Sequence, residues 1–134
     1  MVIKNLKTGE NYSLKEDEMF EPGSLYKIWL MATVFQQIQM DELEETDILS
    51  QDIKVLNEEF QIDEEAAELT EGSIEMSVSS ALSQMISISH NYAALLLAEK
   101  VGNSKISQFL KDYGFIHSAL GQPPKTSALD IALF

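Results

Sequence analysis

A serine and a lysine near the start of one apolar segment have the residue types and the spacing of an activated nucleophile. Ser24 and Lys27 are three positions apart and directly precede the apolar run 28–35. Positions i and i+3 share a helix face, so the sequence predicts that the amine reaches the hydroxyl. A desolvated lysine can take the proton of a serine, and the unpaired N–H groups of a helix start stabilise an oxyanion. The pair therefore predicts a nucleophile with its own base.

The same two residues also have a purely structural interpretation. Ser24 follows Pro22 and Gly23, where a serine often caps a helix, and Lys27 would then be a solvated residue of the first turn. A Ser-x-x-Lys arises by chance roughly once in a serine-rich chain, so the tetrapeptide is weak evidence alone. The rest of the sequence has to decide between the two interpretations.

A second polar segment lies between two apolar stretches further along the chain. Ser89 and Asn91 fall in a short break that follows one predicted helix and precedes the next. A hydroxyl there can pass a proton, and a carboxamide can bond to a substrate amide. The alternative is that Ser89 or Asn91 merely caps the following helix.

Together the two segments resemble the penicillin-recognising serine hydrolases, and in particular the class A β-lactamases. The resemblance rests on Phe-Glu-Pro-Gly-Ser-Leu-Tyr-Lys at 20–27 and on Ser-His-Asn at 89–91, each next to an apolar helix. It implies acyl transfer from a β-lactam or a D-alanyl peptide. Ser24 would attack the carbonyl, Lys27 would act as base, Ser89 would pass the proton to the leaving nitrogen, and Asn91 would hold the substrate side-chain amide.

Two departures from the family pattern qualify this expectation. His90 stands where the family has an aspartate, and we predict a structural role for it. The segment 113–125 contains no carboxylate, although class A enzymes carry their deacylating glutamate on a loop of this region. We therefore expect a class A type serine hydrolase with little or no turnover by this chain alone. The alternative is a non-catalytic or slowly deacylating penicillin-binding or assembly module.

The family's third motif, a Lys-Thr-Gly on a strand, is not convincingly present. Lys7-Thr8-Gly9 lies between the strand-like runs 2–6 and 11–14, where a turn is expected. Lys125-Thr126-Ser127 follows two prolines and is expected to start a helix that Thr126 or Ser127 caps. The motif proper is expected beyond Phe134, so we interpret the chain as a truncated domain.

The fold class expected is α+β and predominantly helical, a β-lactamase/transpeptidase-like helical lobe with an N-terminal hairpin and an incomplete sheet. We predict a single domain over 1–134, with the hairpin in 1–20 and the helical lobe in 21–134. The segment 48–60 is expected to be a loop or short helix, and 72–76 a turn. The predicted helices are Ser24–Met40, Ser77–Ile86, Asn91–Val101, Ser104–Tyr113 and Ser127–Phe134. An incomplete sheet leaves apolar surface and a strand edge open, which predicts self-association or segment exchange.

Composition argues against several other classes of protein. The formal net charge of −13, with nine basic residues, disfavours nucleic-acid binding. The chain has no cysteine and two separated histidines, so we expect no metal, no disulfide and no cofactor. The acidic runs 41–47 and 63–69 lack a calcium-loop pattern and are interpreted as solvated faces.

Two expectations concern the location of the protein and a rival mechanism. No basic and apolar leader precedes Val2, and the resemblance implies an extracytoplasmic protein, periplasmic or secreted. A Ser-His-Asp hydrolase is disfavoured because no Gly-x-Ser-x-Gly surrounds any serine. Neither His90 nor His117 stands out from the sequence as its base.

Overall fold

The computed structural model describes residues 1–121 and 123–134. These residues form two compact units, one comprising Met1–Tyr26 with Ser104–Phe134 and the other Lys27–Asn103. The helices are α1 (Tyr26–Gln39), α2 (Ile53–Glu59), α3 (Val78–Ser87), α4 (Asn91–Val101), α5 (Asn103–Asp112) and α6 (Ala128–Leu133). The strands are β1 (Val2–Lys4), β2 (Asn11–Ser13), β3 (Met19–Phe20), β4 (Ile48–Asp52), β5 (Ser73–Ser77) and β6 (Thr126–Ser127). The expected α+β class with a helical majority is confirmed.

The first unit begins with the predicted hairpin. β1 and β2 pair antiparallel, with Ile3 opposite Tyr12. The turn between them is held by the Asn5 carboxamide oxygen, which accepts from the backbone N–H groups of Lys7 and Thr8 at 3.0 and 3.3 Å. Gly9 has a φ of +77°, a conformation that glycine adopts without steric cost. Lys7-Thr8-Gly9 is thus part of a turn, as expected.

A second antiparallel pair in the first unit was not expected. Met19–Phe20 pair with Thr126–Ser127, a contact between residues more than a hundred positions apart. The Ser127 hydroxyl then accepts from the backbone N–H of Asp130 at 3.2 Å and caps α6, so the predicted cap is confirmed. Thr126 and Ser127 are both fully buried. The same short segment therefore ends a strand and starts a helix.

In the second unit, α1 is buried along one side rather than on every side. Its buried residues recur with helical spacing and are Lys27, Trp29, Leu30, Thr33, Val34 and Gln37. Phe35, which lies outside this stripe, is 45% exposed. Burial of α1 therefore follows the helical period. A lysine thus shares a face with Leu30 and Val34.

The largest error of the sequence-based prediction concerns β4 and β5. The structure forms an antiparallel pair with five matched positions, from Ile48 opposite Ser77 to Asp52 opposite Ser73. The sequence predicts a loop or short helix over 48–60 and a turn over 72–76 instead. The second half of 48–60 is indeed helical, because α2 begins at Ile53 behind an Asp52 cap that accepts from the Lys54 N–H at 2.8 Å. The first half and the expected turn are strands.

Two further helices complete the second unit. α3 is capped by Ser77, whose hydroxyl accepts from the Ser80 N–H at 3.2 Å, and it packs on α4. α4 has the predicted bounds, and seven of its residues are buried. The segment 88–90 between these helices is short and leaves Ser89 exposed. It is the segment that the sequence singled out.

Candidate functional site

Lys27 is buried, and its amine is held by three oxygens. Only 2% of the residue is exposed. Nζ lies 2.7 Å from the Ser89 carbonyl oxygen, 3.0 Å from the Ser89 hydroxyl and 2.6 Å from the Asn91 carboxamide oxygen. The structure thus brings together three residues that the sequence predicted to form one site. The interpretation of Lys27 as a solvated first-turn residue is wrong.

The surroundings of Lys27 change its proton affinity in two opposite ways. Burial lowers the pKa of Lys27 below its usual range, because a desolvated ammonium is disfavoured. The nearby carboxylate of Glu68 raises the same pKa, but burial is the larger effect. A lysine base needs a lowered pKa of this kind.

The three oxygens suit both protonation states of the amine. A carbonyl oxygen and a carboxamide oxygen can only accept hydrogen bonds, whereas a hydroxyl can donate or accept. The ammonium form of Lys27 can donate to all three. The neutral amine can still donate to the Ser89 carbonyl and to Asn91 while its lone pair accepts from the Ser89 hydroxyl. A proton can therefore leave Lys27 without leaving any of these groups unpaired.

The loop that carries Ser89 has an unfavourable backbone conformation. Ser89 has a φ of +58°, in the left-handed region that non-glycine residues rarely adopt. Such conformations cost about 1–3 kcal/mol and are common at functional sites. In this conformation both the carbonyl and the hydroxyl of Ser89 reach Lys27.

His90 caps α4, and it was the residue for which we predicted a structural role. Its Nδ1 accepts from the backbone N–H of Ala93 at 3.2 Å. The alternative in which Ser89 or Asn91 caps this helix is therefore wrong: Ser89 precedes the cap, and Asn91 is the first helical residue. The side chains of Ser89 and Asn91 are left to bond to Lys27. Both residues are exposed, so a ligand can reach them.

Ser24 lies in a 3-10 turn, Gly23–Leu25, which runs directly into α1. The residue is exposed and precedes Lys27 by less than one turn of helix. Pro22 occupies the capping position of this 3-10 turn and makes no side-chain cap hydrogen bond. The role of Ser24 as nucleophile stays a prediction.

Glu68 belongs to the site, and sequence reasoning missed it. Asn91 Nδ2 donates to Glu68 Oε1 at 2.5 Å. We had interpreted the acidic run 63–69 as a solvated face, since nothing in its pattern distinguishes one carboxylate from the others. The contact joins positions 23 residues apart, which no local pattern reports.

The backbone beside Glu68 is anchored to the residue beside Asn91. The Tyr92 hydroxyl lies 2.7 Å from the Leu69 carbonyl oxygen and accepts from the Leu69 N–H at 3.1 Å. Asn57 donates to the same carbonyl at 2.9 Å, and its own oxygen lies 2.9 Å from the Tyr92 hydroxyl. Tyr92 is only 2% exposed. Glu68 is thus presented to Asn91 by a buried network.

His117 takes part in a different cluster, in the first unit. The buried Asp130 carboxylate accepts from the His117 backbone N–H at 2.9 Å and from the Ser118 hydroxyl at 2.7 Å. His117 Nδ1 lies 3.4 Å from the other carboxylate oxygen. Ser118 is buried and bonds to the aspartate rather than to the imidazole. This arrangement resembles a structural network more than a Ser-His-Asp nucleophile.

Among residues 1–121 and 123–134, no group of three or more His, Cys, Asp or Glu side chains is placed to hold a metal ion. None of the helices in these residues has the length and apolar character needed to cross a membrane.

Solved structures with this fold include lactamases and penicillin-binding proteins. A β-lactamase from Sphaerobacter thermophilus DSM 20745 superimposes with a TM-score of 0.76 at 22% identity, over 98% of this chain and 52% of that one. An acyl-enzyme complex of the L158E mutant of PBP-A with penicillin G has a TM-score of 0.78 at 17% identity, over 97% and 51%. The D-alanyl-D-alanine carboxypeptidase DacD from Francisella tularensis has a TM-score of 0.73 at 24% identity, over 98% and 34%.

The chain therefore spans about half the length, or less, of these solved relatives. A search of curated protein sequences found no match. The model of one family, described as the β-lactamase enzyme family, matches residues 1–132, nearly the whole sequence. On that match, and with the fold that these structures share, the chain belongs to the β-lactamase enzyme family.

Proposed function

We propose that this chain carries the acylation site of a serine hydrolase that reacts with β-lactams or D-alanyl peptides. One observation carries the proposal: the Lys27 amine is buried and hydrogen-bonded to Ser89 and Asn91, and burial lowers its pKa. Ser24, in the turn before α1, is the proposed nucleophile. A relative of the same fold forms an acyl-enzyme with penicillin G.

In the proposed reaction, Ser24 Oγ forms a bond to the substrate carbonyl carbon. Its proton passes to neutral Lys27, and the carbonyl oxygen becomes an oxyanion that backbone N–H groups at the start of α1 stabilise. The carbon–nitrogen bond of the β-lactam or peptide then breaks. Lys27 returns the proton through the Ser89 hydroxyl to the leaving nitrogen, and Asn91 holds the carbonyl of the substrate side chain by its N–H. The product is an ester on Ser24.

A slowly deacylating module is the second candidate function. One observation favours it: no carboxylate occurs in 113–125, where class A enzymes carry the glutamate that activates the hydrolytic water. Such a module would keep the ester and behave as a penicillin-binding protein rather than as a lactamase. We also propose an extracytoplasmic location, where the cell-wall peptides that such proteins recognise are found.

The experiment that tests acylation is intact-mass spectrometry after incubation with benzylpenicillin. We expect an adduct of one intact penicillin on the wild-type chain and none on Ser24→Ala. Ser87→Ala is the matched control, because Ser87 is also exposed and ends α3 near the site loop. Absence of an adduct from a folded wild-type chain would refute the acylation site. Turnover of a chromogenic cephalosporin then separates a hydrolase from a module that retains the ester.

A further inference from the structure

The carboxylate of Glu68 lies next to the Asn91 NH2 group, which is the group proposed to bond to a substrate. Asn91 has one carboxamide oxygen and one NH2 group, and the oxygen is taken by Lys27 at 2.6 Å. The NH2 group is the only part of this side chain that can donate to a substrate carbonyl, and it donates to Glu68 at 2.5 Å. One hydrogen of the NH2 group is bonded to Glu68, so a ligand carbonyl that accepts from the other hydrogen binds directly beside the Glu68 carboxylate.

The orientation of the Asn91 amide is fixed by the charges on its two sides. An ammonium and a carboxylate impose opposite preferences on the two ends of a carboxamide, so the oxygen faces Lys27 and the nitrogen faces Glu68. The flipped amide would place its NH2 group against the Lys27 amine and its oxygen against the carboxylate. The Lys27, Asn91 and Glu68 side chains thus form a polarised chain of hydrogen bonds.

The Glu68 side chain is exposed, but the backbone next to it is anchored. The next residue, Leu69, is held at both backbone polar groups by the buried Tyr92 hydroxyl. Tyr92 follows Asn91 directly in the sequence. The backbone that carries Glu68 is therefore held near Asn91, so the carboxylate can reach a ligand that binds there.

We propose that Glu68 is a specificity-determining residue of this site, favouring acyl side chains that bring an ammonium or N–H donor to its carboxylate beside Asn91 and disfavouring those that bring an anion. The inference rests on the proposed function, because it assumes that acyl substrates bind at Asn91. The Glu68 carboxylate can accept from a ligand amine. An anionic side chain at the same place meets like charge and loses affinity.

The electrostatic interaction of Glu68 with Lys27 also supports a position of Glu68 beside the site. Glu68 is the neighbouring charge that raises the Lys27 pKa against the effect of burial. A carboxylate close enough to influence Lys27 is also close to any ligand that Lys27 helps to activate. Ligand binding and proton transfer would then involve the same carboxylate.

The test compares three penicillins that differ in the charge of the acyl side chain. Ampicillin carries an α-amino group, benzylpenicillin is neutral there, and carbenicillin carries an α-carboxylate. Dissociation constants are measured on the Ser24→Ala protein, in which no ester can form, by following the Asn91 side-chain amide signal in NMR spectra. The same measurements are repeated with Glu68→Gln added. Glutamine keeps an oxygen that accepts from Asn91 and removes only the charge.

We expect ampicillin to bind more tightly than carbenicillin, and Glu68→Gln to reduce the ratio of their affinities roughly tenfold, as loss of one partly exposed charge predicts. Glu71→Gln, the matched control, makes the same change of net charge three residues away and should alter the ratio less than about twofold. An unchanged ratio in Glu68→Gln would overturn the inference. So would the absence of binding by all three penicillins.

A second readout does not depend on any ligand. In the free protein, Glu68→Gln should shift the Asn91 side-chain amide signal and lower the Lys27 pKa seen in an NMR titration, whereas Glu71→Gln should change neither. A wild-type chain that binds with this selectivity but forms no ester would refute the acylation site and keep the role of Glu68. An Asn91 signal that is the same with and without the Glu68 charge would refute that role even if the ester forms.

Discussion

The Lys27 amine and the Asn91 carboxamide oxygen lie 2.6 Å apart, which joins the first turn of α1 to the first turn of α4. The two residues are 64 positions apart in sequence, and the contact is made from the face of α1 that also buries Leu30 and Val34. An amine in such surroundings is desolvated, yet each of its hydrogens has an acceptor. Because burial lowers the pKa of Lys27, the fraction of neutral amine that can accept a proton depends on pH below the usual range of lysine.

The pH dependence of acylation should follow Lys27. Because burial lowers the pKa of Lys27, acylation should rise with pH along a limb whose midpoint lies below the usual range of lysine. Lys27→Arg should abolish adduct formation at every pH in the series, since arginine stays protonated. The measurement is the rate of adduct formation by intact mass at a series of pH values. A flat profile in the wild type would contradict the assignment of Lys27 as base.

The same lowered pKa has a consequence for stability. Between the folded and the unfolded pKa of Lys27, the unfolded chain binds more protons, so the contribution of this residue to folding stability rises as pH increases through that interval. Lys27→Met should remove this component of the pH dependence. Urea unfolding at several pH values compares the two slopes, and equal slopes would argue against a lowered pKa.

Substitutions at Ser89 should separate its hydroxyl from its backbone conformation. Ser89→Gly and Ser89→Ala both remove the hydroxyl bonded to Lys27 and should slow acylation by about 10²–10⁴-fold if the hydroxyl passes the proton. With φ at +58°, glycine should be more stable here than alanine by about 0.5–1 kcal/mol. Chemical denaturation measures the difference. Equal stability of the two variants would mean that the loop relaxes in solution.

The role of His90 as a helix cap predicts a stability effect. His90→Ala should destabilise the chain by about 0.5–2 kcal/mol, because the Ala93 N–H loses its acceptor. His90→Asp, which restores the residue of the family motif, should keep the cap and lose little or no stability. Thermal unfolding followed by circular dichroism compares the two. A large loss in both variants would assign His90 a role beyond capping.

The exposed face of the hairpin supports our proposal of self-association. Ile3 and Tyr12 are paired across β1 and β2 and are 56% and 55% exposed, so two apolar side chains lie together on one face. We expect light scattering to detect species larger than a monomer at high concentration. Replacing Ile3 and Tyr12 together by lysine should shift the distribution towards monomer. A wild-type chain that is monomeric throughout would refute this proposal.

The parts of the fold that sequence predicted best are those with a local signal. α4 was predicted with its observed bounds because an apolar helical run is followed by Gly102, and the cap of α6 followed from Ser127 before a helix. β4 and β5 were missed because β4 has no apolar alternation and the alternation in β5 is limited to Ile74 and Met76, and because Leu49 is the only buried residue among these ten. Their pairing is a contact between distant segments.

The candidate site likewise has features that a local sequence pattern predicts and features that depend on contacts between distant segments. Lys27, Ser89 and Asn91 could be selected because each lies in a motif of recognisable type and spacing. The burial of Lys27 and the approach of Glu68 could not, since both depend on where a distant acidic segment packs. The anchor of that segment, between Leu69 and Tyr92, involves backbone atoms and a tyrosine hydroxyl that carry no sequence pattern.

The Ser89 hydroxyl can either donate or accept a hydrogen bond, and this limits how far the protein would have to rearrange during the proposed reaction. When Lys27 loses or regains a proton, only the hydrogen of that hydroxyl has to turn, while the heavy atoms of the loop can remain where they are. A catalytic group that changes charge without rearranging its surroundings adds little to an activation barrier. The unfavourable backbone conformation at Ser89 is thus formed once, during folding, and would not have to form again during the proposed acylation.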